Sequence, residues 1–214
     1  IKTDVNGCMD LEELNKVIRQ CSMQNKKIFS IVATLGTTVR GAVDPIKEIS
    51  DICKKYNIWL HIDGSIGGIY AISSIFIEGL KNINCANSIT INPQKILGIT
   101  KTSSLLLVAD IGTLKNAFAT GIPYISSDYP VMDRGELGIQ GSRPAEIIKL
   151  WLGMRFLGLN GIDDILKSSI KKKNYFEHNL NIGKYEIYSG PLHITSFLPK
   201  GMNITDSNSW TKVK

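Results

Sequence analysis

Cysteine is scarce in this sequence, and its placement supports neither a disulfide framework nor a zinc site. The 214 residues contain four cysteines, Cys8, Cys21, Cys53 and Cys85. They are widely separated and form no CxxC pair, so their spacing does not predict a zinc site. Cys21 and Cys53 fall in amphipathic helical stretches, which is typical of buried, reduced thiols. We therefore expect a cytoplasmic protein that binds no metal.

The sequence also has no long apolar run and no recognisable signal peptide. No run reaches the ~18 apolar residues that a membrane span requires. The formal net charge is +6, but the basic residues are scattered, apart from Lys171–Lys173 in a predicted helix. No nucleic-acid motif accompanies this charge, so we interpret the lysine cluster as a solvated helix face. We expect neither a membrane nor a nucleic acid as partner.

The composition that remains is that of a globular protein. Hydrophobic residues make up 43% of the chain and charged residues 21%, enough to bury the core of one domain, or of one domain and part of another. The chain starts at Ile1, already within a turn, and stops directly after a polar stretch. We therefore expect it to be an excerpt of a longer polypeptide.

Alternating strand and helix patterns predict an α/β fold. Apolar spacing indicates a helix over 10–24, with Asp10 as its N-cap, and a second helix that starts at Asp44–Pro45. Short apolar runs predict strands at 28–35, 58–63, 88–91 and 104–109. Because these runs alternate with helices and are apolar on both faces, we expect a sheet covered on both sides.

The sequence pattern predicts fewer helices and strands in the second half of the chain. Residues 119–142 are rich in glycine, proline, serine and aspartate and indicate a long exposed loop, and such loops are often functional. Helices are predicted over 144–158 and over 161–181. Residues 185–197 read as the beginning of a smaller sheet.

Polar and reactive residues stand at the ends of the predicted strands. Asp63 closes the second strand, Lys95 follows the third, and the Thr37–Thr38 pair follows the first. Each has an ordinary structural interpretation, as a helix cap, a surface lysine or a turn. In open α/β sheets, however, ligands bind beyond the carboxyl ends of the strands. The four polar strand ends, which include Thr102–Ser103 before the last strand, therefore indicate a site at this edge.

An aspartate and a lysine at neighbouring strand tips suit a pyridine-aldehyde cofactor. The carboxylate can keep the ring nitrogen protonated, so that the ring accepts electrons from a carbanion. The lysine amine can form a Schiff base with the aldehyde, provided that it is partly desolvated or near a positive charge. Hydroxyls and backbone N–H groups would bind the phosphate.

Four stretches of this sequence together resemble the group II pyridoxal-phosphate decarboxylases. This family includes decarboxylases of glutamate, aspartate, cysteine sulfinate, diaminobutyrate and aromatic amino acids. The stretches are ATLGTTVRGAVDPI (33–46), IWLHIDGSIGG (58–68), ANSITINPQK (86–95) and IQGSRPAEIIKLWLGMRFLG (139–158). The resemblance implies the aspartate-aminotransferase-like fold, fold type I. It also implies part of a cofactor-binding large domain over 1–158 and the start of a small C-terminal α+β domain over 159–214.

The resemblance implies roles for individual residues. Lys95 would form the Schiff base with pyridoxal 5'-phosphate and Asp63 would pair with the pyridine nitrogen. Ser65 stands where the family usually has an alanine under the ring. Thr38 would contact the cofactor from its turn, and Asn92 and Gln94 would lie near the phosphate. The family usually has histidine where this chain has Gln94, and a glutamine cannot carry charge or transfer a proton at neutral pH.

Further candidates lie around this set. The predicted loop contains Tyr124 and Tyr129, and the resemblance implies that Tyr129, from a mobile loop, protonates the substrate carbon in a neighbouring subunit's site. An ordinary surface tyrosine is the alternative. Ser142 could contribute at a subunit boundary. His61 points to the same side of its strand as Asp63, and it is either a support for that carboxylate or a satisfied core histidine.

The resemblance predicts decarboxylation of an L-amino acid by a cytoplasmic homodimer, and within the family it favours aspartate or glutamate as the substrate. The family's ring-stacking histidine, its main phosphate-binding segment and its substrate-binding arginine fall outside these 214 residues, so we expect the chain by itself to be inactive. Two alternatives stay open at this stage. One is another fold-type-I reaction, by a carbon–carbon lyase or an aminotransferase. The other is a non-catalytic remnant of the fold, against which intact Lys95 and Asp63 argue.

Overall fold

The computed structural model describes residues 1–100, 103–119, 134–141 and 144–202. Helices and strands alternate as predicted. The helices are α1 (Leu11–Met23), α2 (Ile46–Tyr56), α3 (Ile111–Phe118) and α4 (Glu146–Asn179). The strands are β1 (Ser30–Thr34), β2 (Trp59–Asp63), β3 (Ser88–Ile91), β4 (Leu105–Val108), β5 (Tyr185–Ser189) and β6 (Thr195–Pro199). Short 3₁₀ helices span Gly68–Ile72, Glu78–Cys85, Pro93–Lys95 and Arg134–Leu137.

The first four strands form one sheet in the order β1-β2-β3-β4. β1, β2 and β3 run parallel, and β4 runs antiparallel to β3. The carboxyl ends of three strands therefore meet the amino end of β4 at one edge. This places residues that precede β4 beside residues that follow β2 and β3.

One face of the sheet packs on α1 and α2. The alternate residues Ile31, Ala33, Leu60 and Ile62 point into this core, and all four are buried. Burying such aliphatic side chains stabilises the fold by about 1.5–3 kcal/mol each.

The opposite face is open in the part of the chain that the structure describes. It carries His61, Ser88 and Thr90 together with Val32 and Leu106, which are 51% and 52% exposed. Among the described residues, helices cover only one face of the sheet, and the predicted cover on the other face stays a prediction. The strands that read as apolar runs instead alternate between a buried aliphatic face and a mixed face.

One helix assignment differs from the sequence prediction and one is confirmed. The two helices predicted over 144–158 and 161–181 are present, because α4 is broken at Gly158, where φ 62° and ψ 177° are not helical. Glycine has no Cβ and accepts this backbone conformation without steric cost. The short helix α3 was not predicted, although Asp110 caps it by accepting a hydrogen bond from the Gly112 N–H at 2.9 Å.

The C-terminal hairpin packs against the sheet domain rather than standing apart. β5 and β6 pair antiparallel, which confirms the predicted smaller sheet. Leu192 in their connection is fully buried and shares a second core with Tyr70, Ile162 and Leu166. No helix among the described residues has the length and apolarity to cross a membrane.

Candidate active site

The main chain brings the ends of β1, β2 and β3 together. Asp63, the last residue of β2, pairs in register with Thr34 of β1 and Thr90 of β3. The Leu35 N–H donates to the Asp63 carbonyl at 2.8 Å. The turn that follows β1 and the turn that follows β3 therefore flank Asp63 on its two sides, as the sequence predicts for parallel strands.

The Asp63 carboxylate is held through one of its two oxygens. Asp63 Oδ1 accepts the Ser65 hydroxyl at 2.5 Å and the Ser65 backbone N–H at 3.0 Å. Among the described residues, none donates a hydrogen bond to Oδ2. The side chain is thus fixed in orientation and leaves one oxygen available to a ligand.

The surroundings of Asp63 favour its ionised form. Partial burial raises the pKa of this carboxyl group, but the two Ser65 hydrogen bonds and the charges of Lys95 and His61 outweigh that effect. The net pKa lies below the ordinary aspartate value. A carboxylate at this place is therefore charged at neutral pH and can hold a proton on a partner nitrogen.

Lys95 ends the 3₁₀ turn Pro93–Lys95 that follows β3. Pro93 is buried at the first position of this turn, where its missing N–H costs nothing. The Lys95 N–H donates to the Asn92 carbonyl at 3.0 Å. Its side chain is exposed and makes no ion pair with a described residue. The amine is near enough to Asp63 to act through its charge and is otherwise uncommitted.

Asn92 and Gln94 connect the Lys95 turn to the amino end of β4. Asn92 Oδ1 accepts the Ser104 hydroxyl at 2.7 Å, and Gln94 Oε1 accepts the Ser103 backbone N–H. Each amide thus uses its oxygen within the protein, and its NH₂ group donates to none of the described residues. The Ser103 hydroxyl is buried and has no hydrogen-bond partner among the described residues. Together these groups form a set of donors beside Lys95, which is compatible with the predicted phosphate contacts.

Thr38 lies exposed in the turn after β1. Its neighbour Thr37 stabilises the turn, because Thr37 Oγ1 accepts the Ala42 N–H at 3.0 Å. Thr38 itself has no hydrogen bond among the described residues. The turn stands on the Asp63 side of the edge, so Thr38 is in the predicted region. Its contact with a cofactor stays a prediction.

His61 is a satisfied histidine of the open sheet face. Its Nδ1 lies 2.8 Å from the Ser88 hydroxyl and its Nε2 lies 3.2 Å from the Thr90 hydroxyl. Both ring nitrogens are therefore engaged, and neither forms a hydrogen bond with Asp63. Of the two interpretations from the sequence, the structure favours the satisfied histidine, which acts on Asp63 only through its charge.

Asp44 was interpreted as the start of α2, but its side chain has another task. Pro45 occupies the N-cap position and makes no side-chain cap. Asp44 is 6% exposed; its Oδ1 accepts the Met9 N–H and its Oδ2 accepts the Thr34 N–H, both at 2.6 Å. It thereby ties the N-terminal segment to the end of β1 below the site. Sequence reasoning missed this role, and also missed Ser104 beside Asn92.

Tyr124, Tyr129 and Ser142 lie outside the described residues, as does Thr102. Their predicted roles stay predictions. Among the residues that are described, no three histidine, cysteine or acidic side chains are grouped to hold a metal ion.

The arrangement fits a ring-shaped cofactor with an acidic partner at one end and an amine at the other. Asp63 supplies a charged carboxylate with one oxygen that no described residue engages, and Lys95 supplies an amine without a described ion-pair partner from the turn after the neighbouring strand. The backbone is packed tightly behind them. A Cβ on Gly67 would lie 2.4 Å from the Leu35 carbonyl oxygen, and one on Gly68 would lie 2.8 Å from the Ile91 side chain. Only glycine allows this close approach of the strand-end turns.

Comparison with known sequences gives a consistent result. The profile of the family described as pyridoxal-dependent decarboxylase conserved domain matches residues 1–194. The acidic amino acid decarboxylase GADL1 of Xenopus tropicalis is 35% identical over 192 residues, covering 83% of this chain and 38% of that protein. The Bos taurus GADL1 is 34% identical, covering 82% of this chain and 34% of that protein. The chain thus spans little more than a third of the length of these relatives.

Solved structures share the fold. A structure of mouse CSAD in apo form matches with a TM-score of 0.82 and 25% identity, covering 99% of this chain and 46% of that one. Oryza sativa TDC, crystallised with PLP and tryptamine, matches with a TM-score of 0.85 and 21% identity, covering 95% of this chain and 44% of that one. These matches confirm the predicted α/β architecture of fold type I.

Proposed function

The chain belongs to the pyridoxal-dependent decarboxylase family, and from that membership we propose that its protein removes the carboxyl group of an L-amino acid as carbon dioxide, with pyridoxal 5'-phosphate bound through Lys95. The products would be carbon dioxide and the corresponding amine. The family match supports this reaction over that of a carbon–carbon lyase or an aminotransferase.

The observation that carries the proposal is the position of Asp63 and Lys95 at one sheet edge. Asp63 ends β2, Lys95 ends the turn that follows the adjacent parallel strand β3, and the Lys95 charge contributes to the lowered pKa of Asp63. A non-catalytic remnant would need neither the ionised carboxylate nor the uncommitted amine. The pair therefore supports a working site rather than a decayed one.

Each residue has a definite task in this proposal. When bound, the cofactor supplies a protonated ring that accepts the electron pair left on the substrate carbon after carbon dioxide departs. Asp63 Oδ2 would hold the ring nitrogen's proton, and the Lys95 amine would make the covalent attachment to the cofactor's aldehyde carbon. The NH₂ groups of Asn92 and Gln94 would donate to the cofactor phosphate. Ser65 would lie beneath the ring, and Thr38 would contact the cofactor from the neighbouring turn.

We also propose an acidic amino acid, aspartate or glutamate, as the substrate class. The support is the similarity to the acidic amino acid decarboxylases of two vertebrates. Free amino acids of this type are in the cytoplasm, where we propose that the protein works with its four cysteines reduced.

A homodimer is the proposed assembly, with Tyr129 from one subunit protonating the substrate carbon in the other. The described first half of α4 supports an interface, because it leaves large apolar side chains exposed. Trp151 is 59% exposed and Phe156 is 90% exposed. Apolar side chains at such exposures on one helix are typical of a surface that another chain covers.

Borohydride reduction tests the central assignment. The natural polypeptide that contains these 214 residues is loaded with pyridoxal 5'-phosphate, reduced, digested and mapped by mass spectrometry. We expect the cofactor on Lys95, because reduction fixes the attachment at its site. The variant Lys95→Ala should carry no label and should lower the release of carbon dioxide from aspartate or glutamate at least about 100-fold.

Lys115→Ala is the matched control, because Lys115 is an exposed lysine on α3. It should keep both the label and the activity. A label on another lysine, or carbon dioxide release that persists in Lys95→Ala, would refute the assignment. Parallel assays with diaminobutyrate and aromatic amino acids would show which substrate class the site prefers.

A further inference from the structure

We propose that Ser65 is a positioning residue, whose hydroxyl fixes the Asp63 carboxylate so that Oδ2 faces the cofactor ring nitrogen. This inference rests on the proposed function and goes beyond it. The resemblance places Ser65 under the ring as a replacement for alanine, where a hydroxyl has no assigned role. In this chain the hydroxyl is directed to the acid and supplies a side-chain hydrogen bond that alanine cannot make.

The geometry concentrates both Ser65 donors on one oxygen. The hydroxyl reaches Asp63 Oδ1 at 2.5 Å and the backbone N–H reaches the same atom at 3.0 Å. Two donors on Oδ1 select one rotation of the carboxylate about its final bond and leave Oδ2 uncommitted. A charge-assisted hydrogen bond of this length is among the stronger kinds in proteins.

The backbone and side-chain contributions can be separated. The bond from the Ser65 N–H to Asp63 is a local turn between residues two positions apart, and any residue other than proline at position 65 can make it. The hydroxyl bond depends on serine. Replacing Ser65 with alanine therefore removes one defined hydrogen bond and leaves the turn intact.

No other described side chain donates a hydrogen bond to this carboxylate. His61 lies on the same face two residues before Asp63, but both of its ring nitrogens are engaged by Ser88 and Thr90. Lys95 acts on Asp63 through its charge without a direct ion pair. The Ser65 hydroxyl is thus the one described side-chain hydrogen bond to the carboxylate.

The same bond also sets the charge of the acid. Burial raises the pKa of Asp63, and the Ser65 hydroxyl is the largest of the effects that lower it; the Ser65 N–H, Lys95 and His61 follow. Without the hydroxyl, the pKa of Asp63 moves upward. Asp63 would then take up a proton at a higher pH and would lose the charge that attracts a protonated ring nitrogen.

Cofactor titration tests this role without relying on turnover. The apo form of the natural polypeptide is titrated with pyridoxal 5'-phosphate between pH 5 and 8, and the dissociation constant is read from the visible absorption of the bound cofactor. We expect Ser65→Ala to bind about tenfold more weakly at neutral pH, the scale of a hydrogen bond to a charged group. The loss of binding on acidification should also begin at a higher pH.

Two further variants separate positioning from general damage. Ser65→Thr keeps the hydroxyl and should restore both the affinity and the pH profile. Ser169→Ala removes a hydroxyl that bonds only to the Ile165 carbonyl of its own helix, and it should behave as wild type.

The outcomes distinguish this proposal from the proposed function. Wild-type affinity and pH profile in Ser65→Ala would overturn the positioning role alone, and so would equal losses in Ser65→Ala and Ser65→Thr. Failure of the wild-type protein to bind pyridoxal 5'-phosphate would overturn both proposals.

Discussion

At the scale of single residues, the site depends on two opposite charges that are not paired with each other. Asp63 is held by Ser65 and keeps one oxygen free, while Lys95 is exposed on the next turn and has no described ion-pair partner. A direct salt bridge would occupy both groups. Because neither group pairs with the other, we propose that a polar ring binds between them.

Removal of the Asp63 charge tests this arrangement. Asp63→Asn keeps the size of the side chain and can still accept from Ser65, but it cannot hold a proton on a ring nitrogen. We expect weak cofactor retention after gel filtration and a fall in kcat of roughly 100-fold or more, the order of losing one preorganised electrostatic partner.

Asp110→Asn serves as the control for this prediction. Asp110 caps α3 at the opposite end of β4, and asparagine is an equally good cap. It should retain the cofactor and the activity. Normal turnover by Asp63→Asn would contradict the role of its carboxylate.

Gln94 has one observed structural role and one predicted role in cofactor binding. The family usually has a histidine there, which can carry charge, whereas the glutamine uses Oε1 to hold the Ser103 N–H. Its NH₂ group is a neutral donor that no described residue engages. The predicted position beside Lys95 is therefore compatible with a phosphate contact, but the contact itself stays a prediction.

At the scale of secondary-structure elements, the turns are held by side chains from distant segments. Asp44 is the clearest case, because it joins residues 35 and 10 positions away through Met9 and Thr34. It is almost fully buried, and its two oxygens each accept one backbone N–H. The N-terminal segment, β1 and the turn that carries Thr38 are thereby fixed to one another.

We predict that Asp44→Asn destabilises the fold by about 2–3 kcal/mol, because the amide presents an NH₂ group to one buried backbone N–H and leaves it unsatisfied. Urea unfolding followed by circular dichroism measures the change. Asp51→Asn is the control, since the Lys47–Asp51 pair is exposed and screened by solvent and should contribute little to the free energy of unfolding. Equal changes in the free energy of unfolding for the two substitutions would show that the buried Asp44 hydrogen bonds do not stabilise the fold.

At the scale of the whole molecule, the C-terminal hairpin is attached to the region next to the site. The fully buried Tyr70 follows the Asp63 turn, and its hydroxyl lies 2.9 Å from His193 Nδ1 in the hairpin connection. Lys173 of α4 donates to the Gly190 carbonyl beside it, and the Ser196 hydroxyl donates to the Val39 carbonyl of the first turn. We propose that the boundary between the large domain and the C-terminal unit falls near the break at Gly158, with these contacts connecting the two parts.

The Tyr70–His193 contact predicts a pH-dependent stability. Burial lowers the pKa of His193, and the charge of Lys173 lowers it further. The folded state therefore favours the neutral ring, whereas an unfolded histidine takes up its proton near about pH 6.5. The stability from the neutral ring is complete above that pH and is lost as the pH falls toward the lowered pKa of the folded state.

The measurement compares the free energy of unfolding at pH 7 and pH 5 for wild type and His193→Gln. We expect a larger loss on acidification in wild type, because glutamine does not titrate. His178→Gln, at an exposed position near the end of α4, should behave as wild type. An identical pH dependence in His193→Gln and wild type would rule out this contribution.

Much of the fold and the centre of the site followed from the sequence. Apolar periodicity predicted α1, α2, the four strands of the sheet and the beginning of the hairpin, because each pattern is local and repeats with the geometry of its element. The same patterns placed Asp63 and Lys95 at strand ends, where parallel strands bring side chains together. The break of α4 at Gly158 was predicted as well, whereas helix α3 was missed, because a short capped helix gives a weak local signal.

Only the tertiary structure decided which residues of these elements form hydrogen bonds with one another. The antiparallel direction of β4 brings Ser103 and Ser104 to the Lys95 turn. Asp44 is buried and accepts hydrogen bonds from two distant segments rather than capping a helix. The partners of His61 and Ser65 could not be predicted either. The His61 contacts depend on which strand lies beside β2, and the Ser65 contact depends on the rotation of the Asp63 carboxylate. The sequence by itself determined which reactive residues stand at the sheet edge, because that information is local. Their partners depended on the path of the chain, because hydrogen bonds between distant segments exist only after the sheet has formed.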